Sequence, residues 1–306
     1  MIKYNQMITK EYKPLVYIII LNYNDYNDTV ECINSLKNIS YSNINIILID
    51  NHSTDNSGTK LKKLYPEYHF IQTNKNLGYA GGNNLGIKHA MENFADYICI
   101  MNNDVVVEKD FLEPIIHIME GNPVIGIAGP KICEYNNKTV IQSTGSKINL
   151  ISGKVPPINA GRKSFEFTDT LDVDYIGGAC IIIKKDIIQK TGLIPEEYFL
   201  FFEETEWCLK ARQQKIKVVC VCKSCVYHKG SNTIKKYKGI QAYYMMKNNF
   251  VFEKRNATIL QLTIFILYKI LRYSLTFTKG ILMGTLDKDL FHGFIDGLRF
   301  VLKSPK

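Results

Sequence analysis

The chain lacks the features that would send it out of the cell or across a membrane. Residues 1–13 are polar and contain no apolar signal core, so the sequence predicts a cytoplasmic protein. The 306 residues contain no run of about twenty uncharged apolar residues, the length that a spanning helix needs. Four basic residues interrupt the most apolar segment, residues 255–279, and each would cost about 2.5–3.5 kcal/mol at a bilayer centre. A spanning helix is therefore not expected.

A pair of C-x-x-C motifs, as in many zinc sites, is also missing. The eight cysteines occur at irregular positions, and in a cytoplasmic protein they are expected to be reduced thiols. The segment from Cys220 to His228 contains three cysteines and one histidine that could supply four zinc ligands, but their spacing differs from paired C-x-x-C arrangements. Because residues 218–222 alternate as in a β-strand, buried small side chains are the favoured interpretation.

Acidic side chains are scarce in the last quarter of the chain. Residues 229–306 contain 14 Lys or Arg and 4 Asp or Glu, so this segment accounts for the whole net charge of +9. Its basic residues alternate with long aliphatic side chains, which argues against nucleic acid as a partner. Apolar residues recur at every fourth position from Leu290 to Leu302, as in a helix. Two interpretations stay open: amphipathic helices on an anionic membrane surface, or helices that pack on the rest of the protein.

A G-x-G-x-x-G turn is absent after the first apolar run, which argues against a dinucleotide-dependent dehydrogenase. Apolar runs of strand length instead alternate with segments of helical period. We predict strands at residues 15–21, 44–49, 68–72 and 97–101, and helices at residues 29–36 (capped by Asp28), 59–64 and 83–93. This alternation indicates an α/β fold with a doubly wound sheet, whose ligands bind at the carboxyl ends of the strands. Asn22, Asp50, Asn76 and Asp104 fall at those ends.

A segment rich in glycine and asparagine, residues 76–86, precedes the fourth predicted strand. Closely spaced glycines let backbone N–H groups approach a diphosphate, which predicts a nucleotide-binding loop. The fourth strand is followed by Asn102, Asn103 and Asp104. A carboxylate in this position can hold the divalent cation that neutralises a diphosphate. Together the two features predict a site for a nucleotide with Mg²⁺ or Mn²⁺.

The second half of the chain is less regular but contains a cluster of carboxylates. We predict a helix at residues 111–119, a strand at 124–128, turn-rich sequence over 139–174, and a glycine turn at 177–178 before a strand at 180–183. An aromatic run at 198–202 leads into Glu203, Glu204 and Glu206. Like charges at close range raise the pKa of at least one carboxyl group, as a general base requires. The same residues would also suit the first turn of a helix, where glutamate stabilises the helix dipole.

Seven short motifs occur in an order that resembles the family-two glycosyltransferases. They are Asn22-Tyr23-Asn24, Asp50 to Asp55, Asn76-Leu77-Gly78 with Gly82 to Gly86, Asn102-Asn103-Asp104, Gly177-Gly178-Ala179, Phe202 to Trp207, and His228 to Ser231. The chain is most similar to rhamnosyltransferase-like and galactofuranosyltransferase-like bacterial members that build surface polysaccharides. The resemblance spans residues 15–255 and implies the GT-A fold, a doubly wound mixed sheet with nucleotide-binding and acceptor-binding halves. It also implies a nucleotide-sugar donor, a divalent cation and inversion at the anomeric carbon.

The resemblance implies a role for each matching residue. The donor-binding residues would be Asn22 and Asn24 at the base and ribose, Asp50 and Asn51 at the pyrimidine ring, Asn76, Gly78 and Asn84 in the pocket wall, Asn102 and Asn103 beside the metal, and Gly177 and Gly178 where the donor sugar meets the acceptor. Asp104 would bind the metal, with His228 as its second protein ligand. Glu204 would be the catalytic base, although many relatives carry aspartate there. Glu203 and Glu206 remain rival candidates for the base.

The resemblance also implies an organisation and an overall function. The predicted segments are a lead at residues 1–14, a nucleotide-sugar-binding half at 15–110, an acceptor-binding half at 111–230, and a basic, apolar helical extension at 231–306. The enzyme would move one sugar from dTDP-rhamnose or a UDP-sugar to a saccharide acceptor. The extension suggests a lipid-linked acceptor and a peripheral location at the inner face of the cell membrane.

Other functions remain as alternatives or are disfavoured by the residues present. The only tryptophan, Trp207, leaves none for the Q-x-x-R-W motif of processive polysaccharide synthases. A sugar nucleotidyltransferase could share the doubly wound sheet, but it would be expected to carry a basic glycine-rich loop after the first strand. A non-catalytic remnant that binds a glycan or a nucleotide is the third candidate, and the presence of both Asp104 and Glu204 argues against it.

Overall fold

The computed structural model describes residues 13–230 and 239–303. These residues form a ten-stranded sheet with helices on both faces, followed by helices at the C-terminal end. The strands are β1 (Val16–Asn22), β2 (Ile44–Asp50), β3 (His69–Gln72), β4 (Tyr97–Asn102), β5 (Val105–Val107), β6 (Ile125–Glu134), β7 (Ile141–Ser143), β8 (Thr170–Val173), β9 (Cys180–Lys184) and β10 (Lys217–His228). The helices are α1 (Tyr26–Leu36), α2 (Ser57–Leu64), α3 (Gly78–Glu92), α4 (Glu113–Gly121), α5 (Lys185–Thr191), α6 (Glu203–Gln213), α7 (Ile240–Asn256), α8 (Ile259–Leu282) and α9 (Lys288–Lys303). Ser231 of the seventh motif lies outside the described residues.

The sheet is mixed, as predicted. Its strands follow the order β3-β2-β1-β4-β9-β6-β10-β5, with β7 paired to β6 and β8 paired to β10. The first four strands are parallel, whereas β9 lies antiparallel between β4 and β6, and β10 runs parallel to β6. Pairing of β4 with β9 places strands of both predicted halves in one continuous sheet. At its carboxyl edge, Asn22 of β1 is the register partner of Asp50 of β2.

The central strands are buried on both faces because isoleucines occupy consecutive positions. In β1, Ile18 and Ile20 belong to the core layer that includes residues of α1, α2 and α4. Ile19 belongs to the opposite layer, together with Ile87 of α3 and Trp207 of α6. All five side chains are fully buried. A continuous apolar run therefore forms a strand covered by helices on both sides, as expected for parallel strands.

The predicted glycine loop is largely helical, which corrects the sequence prediction. Helix α3 begins at Gly78, whereas a start at residue 83 was predicted. The glycines allow this helix to approach β1 closely. A Cβ atom on Gly82 would lie 2.5 Å from Leu21 Cδ1, and one on Gly86 would lie 2.8 Å from Ile19 Cγ2. Several of these glycines therefore serve helix–sheet packing.

Other element boundaries also differ from the predictions. Helix α1 begins at Tyr26 with Asp25 at the N-cap position, so Asp28 lies in the first turn and is not the cap. Strand β6 continues to Glu134, beyond the predicted end at residue 128. The turn-rich segment 139–174 contains β7, β8 and a 3₁₀ turn.

The C-terminal extension is helical, as predicted, and most of it packs on the protein. Phe252 of α7 lies against Phe202, with 5.4 Å between the ring centroids. Helix α9 packs closely on α7, because a Cβ atom on Gly297 would lie 2.6 Å from Phe250 Cδ2. Phe250 also contacts Phe265 of α8, with 5.1 Å between the centroids. The packing interpretation therefore holds for α7, α9 and one face of α8.

Helix α8 has a second face that is exposed. Among the described helices, α8 is the one that is long and apolar enough to cross a membrane, judged by length and composition alone. Of its apolar 18-residue stretch, 17% is buried inside the protein. On the buried face, Phe265 and Phe277 contact α7 and α9, and Lys269 is buried near Glu253 of α7. The exposed face carries leucines that are between 56% and 81% exposed: Leu260, Leu267, Leu271, Leu275 and Leu282.

All eight cysteines are free and buried. Cys220 and Cys222 lie in β10 with 3.8 Å between their sulfur atoms, and the Cys225 sulfur lies 3.4 Å from that of Cys133. Residues 13–230 and 239–303 contain no group of three or more His, Cys, Asp or Glu side chains that could hold a metal ion. The cysteines of β10 are small buried side chains, as the strand pattern predicted.

Candidate functional site

A cavity of about 430 Å³ lies at the carboxyl edge of the sheet. Both predicted halves and the C-terminal extension contribute to its wall. The lining residues are Leu21, Tyr23, Asn51, Asn76, Gly78, Tyr79, Asn102, Asn103, Asp104, Phe199, Leu200, Ile240 and Tyr244. The structure therefore brings together six of the residues predicted from sequence with seven that were not.

Asp50 and Asn22 lie beneath the cavity and do not line it. Asn22 Nδ2 donates to Asp50 Oδ1 over 2.7 Å, and Gln72 Nε2 donates to Asp50 Oδ2 over 2.6 Å. Ser53 donates through both its backbone N–H and its hydroxyl to the same carboxylate. Asn22 and Asp50 are both buried. This hydrogen-bonded cluster fixes the loop that follows β2.

Asn51 and Asn76 form the polar wall above this cluster. Asn51 Nδ2 donates to Asn76 Oδ1 over 3.0 Å and to the Gly78 carbonyl over 3.1 Å. Gly78 has φ 72°, and a Cβ atom there would lie 2.3 Å from the Phe199 carbonyl oxygen. The backbone N–H of Tyr79 donates to that same carbonyl over 2.9 Å. A glycine is therefore required where helix α3 meets the loop before α6.

Two predicted pocket residues lie elsewhere. Asn84 Nδ2 donates to the Ile194 carbonyl over 2.9 Å and to Glu196 Oε1 over 2.8 Å, so it joins α3 to the second half and does not line the cavity. Asn24 Oδ1 accepts the backbone N–H of Thr54 over 2.7 Å and also lies outside the lining. Tyr23, between the two asparagines of its motif, lines the cavity in their place.

Asp104 and His228 form the candidate metal centre. Strands β5 and β10 pair so that His228 lies opposite Val105, the residue after Asp104. His228 Nε2 lies 3.2 Å from Asp104 Oδ1, without the geometry of a hydrogen bond. His228 Nδ1 lies 2.6 Å from Gln142 Oε1. Because the amide oxygen can only accept, His228 Nδ1 donates this hydrogen bond, which fixes the ring with Nε2 facing Asp104.

This pair fits a divalent cation. Two ligands that lie at right angles and roughly 2.1 Å from a cation are about 3 Å apart, close to the separation of these two atoms. A histidine that binds a metal through one ring nitrogen commonly donates its other N–H to a carbonyl or carboxylate oxygen, as His228 does to Gln142. Sequence reasoning missed Gln142, since nothing in its local pattern marks it.

Glu206 is part of a buried ion pair and does not line the cavity. Arg255 of α7 donates to both of its carboxylate oxygens over 2.9 Å, and Lys210 Nζ lies 2.9 Å away. Burial alone would raise the pKa of Glu206, but hydrogen bonds from Arg255, Tyr198 and Lys210 outweigh it and lower the pKa to about 2. These contacts join α6 to the C-terminal extension.

Glu203 and Glu204 lie at the start of α6 and are both buried. Burial raises the pKa of each, and the neighbouring charge of Glu204 adds to the rise at Glu203. The sequence prediction named charge repulsion as the cause, whereas loss of water contact is the larger effect. One carboxylate oxygen of each residue has no hydrogen-bond partner in the described structure.

Glu204 lies behind the cavity wall, next to Gly178. A Cβ atom on Gly178 would lie 2.1 Å from Glu204 Oε1 and 3.0 Å from the Tyr79 hydroxyl oxygen. Tyr79 lines the cavity and donates to the Gly178 carbonyl over 2.8 Å, while Tyr175 donates to Glu204 Oε1 over 3.3 Å. Gly178 is therefore needed for the close approach of the carboxylate. A Cβ atom on Gly177 would lie 3.7 Å from its nearest neighbour, Ile132 Cδ1, so close packing does not require a glycine there.

The loop before α6 has an unusual backbone. Phe199, Phe201 and Phe202 all have positive φ angles, between 61° and 74°. Such angles strain residues that carry a Cβ atom and persist only where surrounding contacts fix them. Asn248 of α7 is buried, and its Nδ2 lies 2.7–3.2 Å from three carbonyl oxygens in residues 198–201. The C-terminal extension therefore holds this loop in place.

The chain belongs to glycosyl transferase family 2, whose family model matches residues 17–192. It is 24% identical to the low-salt glycan biosynthesis hexosyltransferase Agl10 of Haloferax volcanii over 242 residues, which are 76% of this chain and 74% of the relative. It is 23% identical to the dTDP-rhamnosyl transferase RfbF of Shigella flexneri over 258 residues, which are 81% of this chain and 83% of the relative. These relatives confirm the predicted family and are consistent with its rhamnosyltransferase-like branch.

The fold is also similar to that of solved structures. The mannosyltransferase PcManGT of Pyrobaculum calidifontis, in complex with GDP-Man and Mn²⁺, matches with a TM-score of 0.59 at 11% identity. The match covers 97% of this chain and 89% of that chain. It confirms the predicted GT-A fold, while the roles of individual site residues stay predictions.

Proposed function

We propose that the chain is an inverting glycosyltransferase that moves one sugar from a pyrimidine nucleotide-sugar to a saccharide acceptor in surface polysaccharide synthesis. The observation that carries this proposal is one cavity lined by Asn51, Asn76 and Asp104, whose lining residue Tyr79 bonds Gly178, against which Glu204 packs. Rhamnosyl and hexosyl transferases among the relatives support a dTDP-rhamnose or UDP-sugar donor.

The nucleotide would lie against the polar wall. Asn51 and Asn76 offer amide groups, and the start of α3 lies beside them at Gly78 and Tyr79. Asp50 and Asn22 would act from beneath by fixing the loop that carries Asn51. Asn102 and Asn103 would border the sugar and diphosphate, because they lie between this wall and Asp104.

Asp104 and His228 would hold Mg²⁺ or Mn²⁺. When bound, the cation would act as a Lewis acid that stabilises the negative charge on the departing diphosphate. Gln142 would keep His228 Nε2 directed at the site by accepting a hydrogen bond from Nδ1–H. The described residues provide no third carboxylate, histidine or cysteine at this point, so the diphosphate and water would complete the coordination.

Glu204 would accept the proton of the attacking acceptor hydroxyl. Burial raises its pKa, which makes the carboxylate a stronger base than an exposed glutamate. Tyr175 and Gly178 fix its position next to the cavity wall. Glu203 remains the rival candidate, whereas Glu206 is a poor base because its pKa lies near 2 and its oxygens are occupied by Arg255.

A panel of nucleotide-sugars tests this proposal. Purified protein should release nucleoside diphosphate from one member of the panel, and Mn²⁺ or Mg²⁺ should accelerate the release. Conversion of a nucleotide-sugar and added pyrophosphate into nucleoside triphosphate and sugar 1-phosphate would instead identify a nucleotidyltransferase. Binding of a nucleotide-sugar without turnover, with or without glycoside acceptors, would identify a non-catalytic remnant.

We also propose that helix α8 docks on an anionic membrane surface at the cytoplasmic side, where a lipid-linked acceptor would be presented. The exposed leucine face provides the apolar contact, and Arg272 and Lys279 on the same helix are exposed. The excess of basic residues in segment 229–306 complements anionic lipid headgroups.

Vesicle sedimentation tests this docking surface. The protein should sediment with phosphatidylglycerol vesicles, less with phosphatidylcholine vesicles, and less at high salt. The double variant Leu267→Ser, Leu271→Ser should remain in the supernatant, while Leu64→Ser, an exposed leucine of α2, should behave as wild type. Unchanged sedimentation of the double variant would contradict the proposal. A dimer in ultracentrifugation that the double variant loses would identify a second copy as the occupant of this face.

A further inference from the structure

The two walls of the cavity differ in chemistry. One wall carries the amides of Asn51 and Asn76 and the carboxylate of Asp104. A second part of the wall is apolar and aromatic, and it comes from two distant segments of the chain: Phe199 and Leu200 before α6, and Ile240 and Tyr244 of α7. Among the described residues, no charged side chain lines this second wall.

Two aromatic rings form the centre of the apolar wall. Phe199 and Tyr244 stack with 5.4 Å between centroids and an interplanar angle of 29°. Tyr243 packs edge-on against Tyr244 at 5.1 Å and 82°. Both stacked rings are half-buried, so part of their surface faces the cavity. We call this pair, Phe199 and Tyr244, the aromatic platform.

Hydrogen bonds to the backbone around Phe199 fix the position of the platform. Asn248, one helical turn after Tyr244, bonds the carbonyl oxygens on either side of Phe199. The Phe199 carbonyl itself accepts the backbone N–H of Tyr79 over 2.9 Å. Binding sites with fixed aromatic groups lose little conformational entropy when a ligand binds. A Phe199 with a strained backbone and a hydrogen-bonded carbonyl fits such a binding role better than a role in filling space.

The platform also adjoins the proposed base. Tyr79 contacts Phe199 through its backbone and reaches the Gly178 carbonyl through its hydroxyl. Gly178 in turn is the residue against which Glu204 packs. Tyr79 therefore connects the platform to Gly178, the residue against which the proposed base packs.

We propose that the aromatic platform is the acceptor subsite, where Phe199 and Tyr244 contact the C–H face of a pyranose ring. A sugar ring presents apolar C–H groups on its face and hydroxyl groups at its edge, which suits an aromatic surface beside hydrogen-bonding groups. This inference rests on the proposed glycosyl transfer and adds the site and chemistry of the acceptor. A nucleobase is the competing occupant of an aromatic surface.

Substitution of Tyr244 tests the platform. With octyl glycosides of glucose, galactose, N-acetylglucosamine and rhamnose as acceptors, Tyr244→Ala should raise the acceptor KM at least about tenfold, the factor expected for loss of one good ring contact. Tyr244→Phe should stay within about threefold of wild type, because the ring and not the hydroxyl makes the contact. Met245→Ala, an exposed neighbour on the same helix that does not line the cavity, is the matched control and should behave as wild type.

Nucleotide binding provides the second readout. Calorimetry with UDP and dTDP in the presence of Mn²⁺ should give the same affinity for Tyr244→Ala and wild type. A loss of nucleotide affinity would overturn the proposal and assign the platform to the base. An unchanged acceptor KM in Tyr244→Ala would also overturn it.

Failure of the proposed function can be told apart from failure of the platform. If wild-type protein turns over no nucleotide-sugar, glycosyl transfer is wrong, and the platform is judged by saturation-transfer NMR with methyl glycosides of the same four sugars. Saturation of the ring C–H protons that Tyr244→Ala abolishes and Met245→Ala retains would support it. Absence of saturation transfer to every glycoside in wild type would refute it.

Discussion

At the scale of single residues, the three clustered glutamates differ because their surroundings differ. Glu203 and Glu204 are deprived of water, which raises the pKa of both, while Glu206 is surrounded by donors, which lower its pKa to about 2. Their spacing in sequence predicted a titratable cluster but gave no means of ranking its members. Glu204 is distinguished by its contact with Gly178 beside the cavity wall.

Glu204→Gln should abolish transfer while leaving nucleotide binding nearly intact. The amide keeps the shape of the carboxylate but cannot accept the acceptor's proton, and a positioned base contributes about 10²–10⁴ in rate. Steady-state turnover and calorimetry with UDP or dTDP measure the two effects. Glu203→Gln is the comparison variant, and turnover of Glu204→Gln within a fewfold of wild type would rule out the proposed base.

Gln142→Leu should weaken Mn²⁺ binding about 10–100-fold, because His228 would lose the acceptor that fixes its proton on Nδ1. Calorimetric titration of Mn²⁺ in the presence of UDP measures this directly, without any need for turnover. Gln241→Leu, at an exposed position of α7, controls for the loss of an amide. Equal Mn²⁺ affinity in both variants would contradict the role of Gln142 and weaken the assignment of His228.

At the scale of elements, α7 links the C-terminal extension to the site. Asn248 bonds the strained loop, Arg255 pairs with Glu206, and Tyr244 lines the cavity. The sequence predicted a helical extension and left open whether it packs on the protein or binds a membrane. Only the packed structure shows that its first helix forms part of the cavity.

Asn248→Asp should lower kcat more than it lowers nucleotide affinity. The substitution keeps the size of the side chain but replaces the donor of several hydrogen bonds with an acceptor, which leaves buried carbonyls unsatisfied at a cost of about 1–3 kcal/mol. Turnover, calorimetry with UDP and thermal unfolding together separate a displaced loop from global destabilisation. If kcat is unchanged, the loop does not depend on Asn248 for its active geometry.

The α6–α7 ion pair should make stability depend on acid pH. Because the pKa of Glu206 is lowered to about 2 in the folded protein, its stabilising contribution is fully present above the usual glutamate pKa of about 4.3 and is lost as the pH falls towards 2. Denaturant unfolding between about pH 5 and pH 2 should show this decline in wild type and less of it in Glu206→Gln. If the free energy of unfolding falls with pH equally in wild type and Glu206→Gln, the ion pair is not the cause of the decline.

At the scale of the whole molecule, prediction succeeded where local pattern decides the outcome. Isoleucine runs such as Ile18 to Ile20 gave buried strands, and alternation with helical segments gave the sheet. The start of α3 was predicted incorrectly, because its glycines were interpreted as a nucleotide-binding loop, although Gly82 and Gly86 serve close packing on β1. The resemblance implied that Asn84 lies in the pocket wall, whereas Asn84, in the second turn of α3, donates to the Ile194 carbonyl and does not line the cavity.

The sequence by itself determined the family, the GT-A fold and the set of polar residues at the carboxyl edge of the sheet, because these follow from periodicity and from motifs in fixed order. The tertiary structure alone decided which of these residues face the cavity, which glutamate forms an ion pair with Arg255, and which helix completes the aromatic wall. Those outcomes depend on contacts between residues far apart in the chain, such as Asn248 with the loop at 198–201 or His228 with Asp104. Local sequence patterns carry no record of such pairings, since they arise only when the packed elements bring the side chains together.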